Sequence, residues 1–210
     1  MHRRAYLDAA AIAVDLLADP AVADRWTQPS ALAEFSVGGL AGHLGRQVHM
    51  MVELLDAPPA DQRPRDLMEH YGASVWLGKD VDTPANVAIR AQGDEFAEAG
   101  HAQLVETLRA DLVAIRETLP EMPPDEKVLL PWTGWALCLD DLLLTRMMEI
   151  SVHCDDLAVS VDLPTPTFPS QVLRPVLGLL TDLAVARHGQ VATLRALSRR
   201  ERAPETISAL

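Results

Sequence analysis

Arg146-Met147-Met148-Glu149-Ile150-Ser151-Val152-His153-Cys154-Asp155-Asp156-Leu157 reads as helix, and on a helix Glu149 and His153 stand one turn apart on the same face. A carboxylate oxygen and an imidazole nitrogen so placed can meet one divalent cation, which is half of a metal site. A third ligand from a distant segment completes a two-histidine, one-carboxylate set that leaves a coordination position open for water or a thiol, as catalytic zinc sites do. His43, about a hundred residues earlier, is the candidate. A Glu–His pair at this spacing is common by chance, and a lone His43 on an apolar face reads as a packed, hydrogen-bonded histidine. It is the combination of the two segments that favours a metal.

Composition narrows the classes further. A chain of 210 residues suits one domain, with or without an elaborated terminus, and can bury an adequate core. Thirty acidic against 18 basic residues give a net charge of −12, which opposes a nucleic-acid role, because phosphate binding needs clustered Lys and Arg. The basic run Arg199-Arg200-Glu201-Arg202 is short and mixed and reads as a solvated tail. The N-terminal stretch after Arg3 and Arg4 is interrupted by Asp8 and Asp15, and the apolar segment around Leu142 by Asp140 and Asp141. Neither a signal peptide nor a membrane span is expected, and the location expected is cytoplasmic. Cys138 and Cys154, placed on one helix, would stand about 24 Å apart and remain reduced.

Apolar residues recur with the helical period, and no convincing alternating strand is read. An N-terminal helix runs from about Ala5 to Leu17 and ends near Asp19-Pro20. Ser36 is the expected N-cap of a second helix carrying Leu40, Leu44, Val48, Met51 and Leu55, stopped by Pro58-Pro59. A shorter piece lies near Asp66 to Leu77. A third long helix spans about Pro84 to Leu119, with a possible break near Gly93, and a fourth about Leu139 to Val161. After Pro164, Pro166 and Pro169 come helices at about Ser170 to Arg187 and Val191 to Arg200. The expected architecture is all-α, a four-helix bundle in residues 1–162, followed in 163–210 by a proline linker and a C-terminal helical extension packing on it. Bundle cores are where ligands from facing helices converge.

Ser36-Val37-Gly38-Gly39-Leu40-Ala41-Gly42-His43-Leu44, after Trp26-Thr27, resembles the S-V-x-x-L-x-x-H-L segment of the mycothiol-dependent maleylpyruvate isomerase N-terminal domain family, within the DinB-like metal-binding bundles. Pro131-Trp132-Thr133-Gly134 and Arg146-x-x-Glu149-x-x-x-His153-x-x-Asp156-Leu157 are similar to that family's R-x-x-E-x-x-x-H-x-x-D-L helix and the loop before it. The resemblance covers about residues 5 to 162, and two motifs in the right order are more specific than either alone. It implies one divalent metal per chain, most often zinc, held by His43, Glu149 and His153, with mycothiol as co-substrate. Coordination can deprotonate a thiol at neutral pH and prepare it for attack on a small electrophile. The isomerase carries a separate C-terminal α/β domain, whereas the residues after Pro169 read as helix, so metal binding carries over and the isomerase's own substrate does not.

Asp156, three residues beyond His153, suits an acceptor orienting that ligand, or equally a structural hydrogen bond. Arg146 is expected in a structural ion pair, with anionic substrate as the other reading. Trp132 and Trp135 line a pocket mouth or close the end of the bundle. His49 points to another face from His43. His2, His70, His101 and His188 read as surface or structural, and Cys154 as core. Gly38, Gly39 and Gly42 call for close approach of a ligand or of a neighbouring helix. The resulting expectation is a metal-dependent, mycothiol-using transferase or isomerase, monomeric or homodimeric, acting on a small electrophile. The alternatives are a hydrolase using metal-bound water and a metal-binding stress-response protein without turnover. No catalytic residue beyond the metal ligands is identified.

Overall fold

A computed structural model describes residues 2–74, 82–123 and 125–210. Helix α1 spans Arg3–Leu17. Asp19 does not simply end it: its side chain accepts from the Ala21 amide and, with Pro20 in the first turn, starts a short helix α2, Pro20–Asp24. Helix α3, Val37–Asp56, begins as expected at Ser36, whose Oγ accepts from the Gly39 amide at 2.9 Å. Helix α4, Leu67–Ala73, opens with a capping box between Asp66 and Glu69; Leu77, to which the sequence extended this piece, lies outside the described residues.

The third long helix is two. Helix α5, Pro84–Ala97, and helix α6, His101–Thr118, are separated at Gly100, where φ is 88°, and not at Gly93. Gly93 serves packing instead. A Cβ on it would lie 2.6 Å from the Gly39 carbonyl oxygen, and one on Gly42 would collide with the Gly93 carbonyl oxygen. Small residues on both helices thus let the α3 and α5 backbones touch, which decides the open question for Gly39 and Gly42 in favour of a neighbouring helix, whereas Gly38 makes room for the Trp26 ring.

The expectation of no strands is corrected by a small antiparallel hairpin, β1 at Lys127–Leu130 and β2 at Trp135–Cys138, paired Lys127 to Cys138 and Leu130 to Trp135. Its strands are four residues long, too short to display a period, and β2 buries two consecutive residues, Ala136 and Leu137, so alternation is lost. Gly134, at φ 79°, lets the turn close, its amide donating to the Leu130 carbonyl. Cys138 therefore ends a strand and caps the next helix instead of lying inside it. Helix α7, Leu139–Ser160, is followed by α8, Ser170–His188, and α9, Gln190–Ser198.

Helices α1, α3, α6 and α7 pack around one core, with α5 laid against α3. Tyr6, Leu17, Leu40, Leu44, Met51, Leu108, Ile115, Leu139 and Leu142 are fully buried there. Helix α8 adds Val172, Val176, Leu179 and Leu183 to the same core through contacts with α7 and α1. The fold is all-α in the DinB-like manner, a bundle with a small hairpin at its side. Among the described residues no helix is long and apolar enough to cross a membrane.

Candidate metal centre

The packing of α3 against α7 sets His43 opposite His153. Their Nε2 atoms are 3.1 Å apart and their rings meet edge to face with centroids at 4.6 Å. Glu149 Oε2 lies 3.2 Å from His153 Nε2, as the one-turn spacing dictates. Ligand atoms of His43, Glu149 and His153 all fall within 4.8 Å of one another. Four ligands at 2.0–2.1 Å from a tetrahedral zinc are separated by about 3.3 Å. The distances of 3.1 and 3.2 Å are close to that edge, and two imidazoles with one carboxylate form a donor set that zinc accepts, so the residues present fit the group.

The outer contacts also fit. Asp156 Oδ2 is 2.9 Å from His153 Nδ1, which places a proton on Nδ1 and turns Nε2 toward the cluster. Phe35 packs against the His43 ring at 5.8 Å between centroids. Cys154 is fully buried, and burial pushes its thiol up to about 12, so it stays an inert core residue.

Electrostatics in the metal-free protein place one proton in the cluster. Burial holds His43 down to about 3, helped by the charge of His153 and opposed by Glu149. Burial also disfavours charge on Glu149 and His153, but here partners prevail. The hydrogen bond and charge of His153, together with Arg146 and His43, draw Glu149 down to about 2. Hydrogen bonds to Asp156 and Glu149 lift His153 to about 9. His153 is thus an imidazolium whose Nε2–H points between a neutral His43 nitrogen and a carboxylate oxygen. A proton occupies the place that suits a cation.

Arg146 differs from expectation. It makes no ion pair within 4 Å among the described residues; its Nη1 donates to Gln47 Oε1 at 2.5 Å and its Nε to Thr145 Oγ1 at 3.1 Å. Gln47 is itself buried and donates to the His43 carbonyl, so the guanidinium is tied to the turn of α3 that carries His43. Trp132 stands on the hairpin turn and is 51% exposed. Trp135 is the tryptophan that reaches inward, its Nε1 donating to Nδ1 of His70 at 3.1 Å. His70, read as surface or structural, is only 5% exposed. His49 pairs with Asp111 at 2.8 Å, away from the cluster, and His101 Nε2 donates to the Leu17 carbonyl. An open cleft of about 540 Å³ beside α4, lined by Arg63, Arg65 and Glu69 among others, contains none of the three convergent ligands. The convergence of the three candidate ligands, not the size of a cleft, marks the candidate centre.

A family model described as mycothiol maleylpyruvate isomerase N-terminal domain matches residues 7–158. No curated protein and no solved structure matches the chain.

Proposed function

Because the chain belongs to the mycothiol maleylpyruvate isomerase N-terminal domain family, whose members are mycothiol-associated, DinB-like metal-binding bundles, we propose that it is a metal-dependent transferase or isomerase that uses mycothiol on a small electrophile. His43, Glu149 and His153 hold one divalent cation, zinc. The observation that carries this reading is the convergence of their ligand atoms within 4.8 Å in the bundle core. When bound, the metal supplies Lewis acidity that keeps a thiol deprotonated at neutral pH. Three protein ligands leave a coordination position free for that sulfur.

The chain's own residues supply positioning. Asp156 fixes the tautomer and orientation of His153. Gln47 and Thr145 hold the Arg146 guanidinium one turn from Glu149, on the same face of α7, where its charge favours an anionic ligand. Residues 1–162 form the metal-binding unit and 163–210 an extension that covers α7 and α1.

Cobalt substitution tests the proposal. Addition of mycothiol to the cobalt-loaded protein is expected to add the intense sulfur-to-metal absorption that oxygen ligands lack, and a panel of small electrophiles to be consumed only when thiol is present. Thiol-independent hydrolysis with an unchanged cobalt spectrum would establish the hydrolase instead, and silence in both assays a binding protein without turnover.

A further inference from the structure

Arg65 is a fixed cation whose charge no partner in the fold takes up. Its backbone lies beside β2, the amide donating to the Ala136 carbonyl at 2.9 Å and the residue bridging in parallel to Leu137. Its guanidinium is laid over the Trp135 ring, with the central carbon 3.9 Å from the ring centroid. The indole is held in turn, because its Nε1 donates to Nδ1 of His70, which is buried on α4. Stacking uses one flat face of a guanidinium and leaves the N–H groups around its edge able to donate.

Among the described residues no acceptor meets that edge: the Arg65 side chain has no hydrogen bond and no carboxylate within 4 Å. Its nitrogens are not buried donors left unmet, so they reach the surface. There Arg65 lines the cleft of about 540 Å³ beside α4, together with Arg63, Pro64, Glu69, Gly72 and Ala73. That volume lies in the range of small-molecule sites.

The charge and shape of the walls narrow what fits. Glu69 is the carboxylate of this lining, and it is committed: its Oε2 accepts from the Asp66 amide at 3.1 Å, and Nη2 of Arg63 lies 3.5 Å from both its oxygens. The Asp66 carboxylate in turn accepts from the Glu69 amide. Arg63 and Glu69 offset one another, which leaves Arg65 as the surplus charge of the cleft. One guanidinium edge pairs with one carboxylate through two parallel hydrogen bonds. A phosphate dianion would bring a second charge that has no counterpart here and that Glu69 repels. The wall at Gly72 is bare backbone, and a Cβ placed on it meets nothing within 4 Å, so the space before this turn of α4 is open.

We propose that the cleft beside α4 binds the carboxylate of a small monoanionic molecule, with the edge of Arg65 as anchor, Trp135 as the platform that orients the guanidinium, and Gly72 leaving room for the rest of the ligand. None of His43, Glu149 and His153 lines this cleft. The site therefore does not rest on the thiol-using reading, and binding there makes or breaks no covalent bond.

The test follows the Arg65 Nε–H and Trp135 Nε1–H resonances by NMR in the full chain, labelled with 15N and held at constant ionic strength. Loss of each signal in Arg65→Lys and Trp135→Phe assigns it. The probes are propionate, its neutral isostere propionamide, and inorganic phosphate. Propionate is expected to shift both resonances saturably, propionamide to leave them in place, and phosphate to bind more weakly than propionate. Arg65→Lys keeps the charge but loses the two-pronged edge, and Gly72→Leu fills the cleft without touching the fold; each is expected to weaken propionate, read at Trp135, by about tenfold or more, the size of a hydrogen bond to a charged group. The melting temperature of Gly72→Leu is expected not to fall. No saturable shift, an equal response to propionamide, phosphate binding as tightly as propionate, or undiminished binding in Gly72→Leu each overturns the inference. Should Arg65→Lys not fold, the three probes on the wild type and on Gly72→Leu decide.

Discussion

Nε2 of His43 and Nε2 of His153 lie 3.1 Å apart although 110 residues separate them in the chain. Two ring nitrogens at that distance need something positive between them: a proton in the metal-free protein, a divalent cation if the proposed centre is loaded. The contact is thus a measure of what the pocket is built to hold, and most of the expected behaviour follows from it.

Purified protein should contain about one divalent metal per chain, and His43→Ala or His153→Ala should strip it, because two ligands of three no longer close the site. Elemental analysis decides this. Full occupancy in both variants would refute the ligand assignment.

Metal binding should release close to one proton at pH 7. His153 stands at about 9 in the metal-free protein while His43 and Glu149 already offer lone pairs, so the metal displaces one proton from His153 Nε2. The sign follows: affinity rises about tenfold per pH unit up to about pH 9 and levels off above it. Calorimetry in buffers of different ionisation enthalpy counts the proton directly.

Asp156→Asn should weaken metal binding without abolishing it. The carboxylate lies 2.9 Å from His153 Nδ1, and losing such an outer contact typically costs about 10–100-fold in affinity. Competition with a chromogenic chelator measures it; an unchanged affinity would make the Asp156 contact purely structural.

Metal-free protein should be most stable near pH 6.5. On the acid side His43 and His70 stay neutral in the fold to about 3 and 4 while the unfolded chain takes up protons near 6.5. The unfolded state then binds more protons, and stability falls with pH by up to about 1.4 kcal/mol per unit for each group. On the alkaline side the contribution of His153 is complete below 6.5 and is lost as pH rises through about 9. Urea midpoints in chelator across this range test both limbs, and His70→Gln should flatten the acid one.

Gly42→Ala should destabilise the fold by about 1–3 kcal/mol even though alanine favours helix by about 1 kcal/mol, because the added methyl meets the backbone carbonyl of Gly93, which no rotamer change can move. Gly178→Ala in α8, where a Cβ meets nothing within 4 Å, should stabilise instead. Thermal melts of the pair give opposite signs if the α3–α5 contact has the stated role.

Glu149 and His153 needed only the helical repeat to be read as a candidate pair of ligands, since a turn of helix brings residues four apart together whatever surrounds them. The same periodicity, with Ser36 as cap and the prolines as stops, outlined the long helices and the all-α class. The family segments around His43 and Arg146 were likewise visible in the residues themselves. What local pattern does not contain is contact across the bundle. That His43 meets His153 depends on the approach of α3 to α7; that Gly39 and Gly42 serve α5 depends on where Gly93 packs; that Arg146 binds Gln47 and not a carboxylate depends on which side chain of α3 lies opposite. His70 was hidden for the same reason. Its partner Trp135 sits 65 residues away on a strand too short to show a period, and the contact that fixes its tautomer exists only once α4 and the hairpin have packed. Helical spacing acts through bonds along the chain and is written in the order of residues, whereas burial, protonation and the meeting of distant donors are created by packing and appear only when the tertiary structure forms.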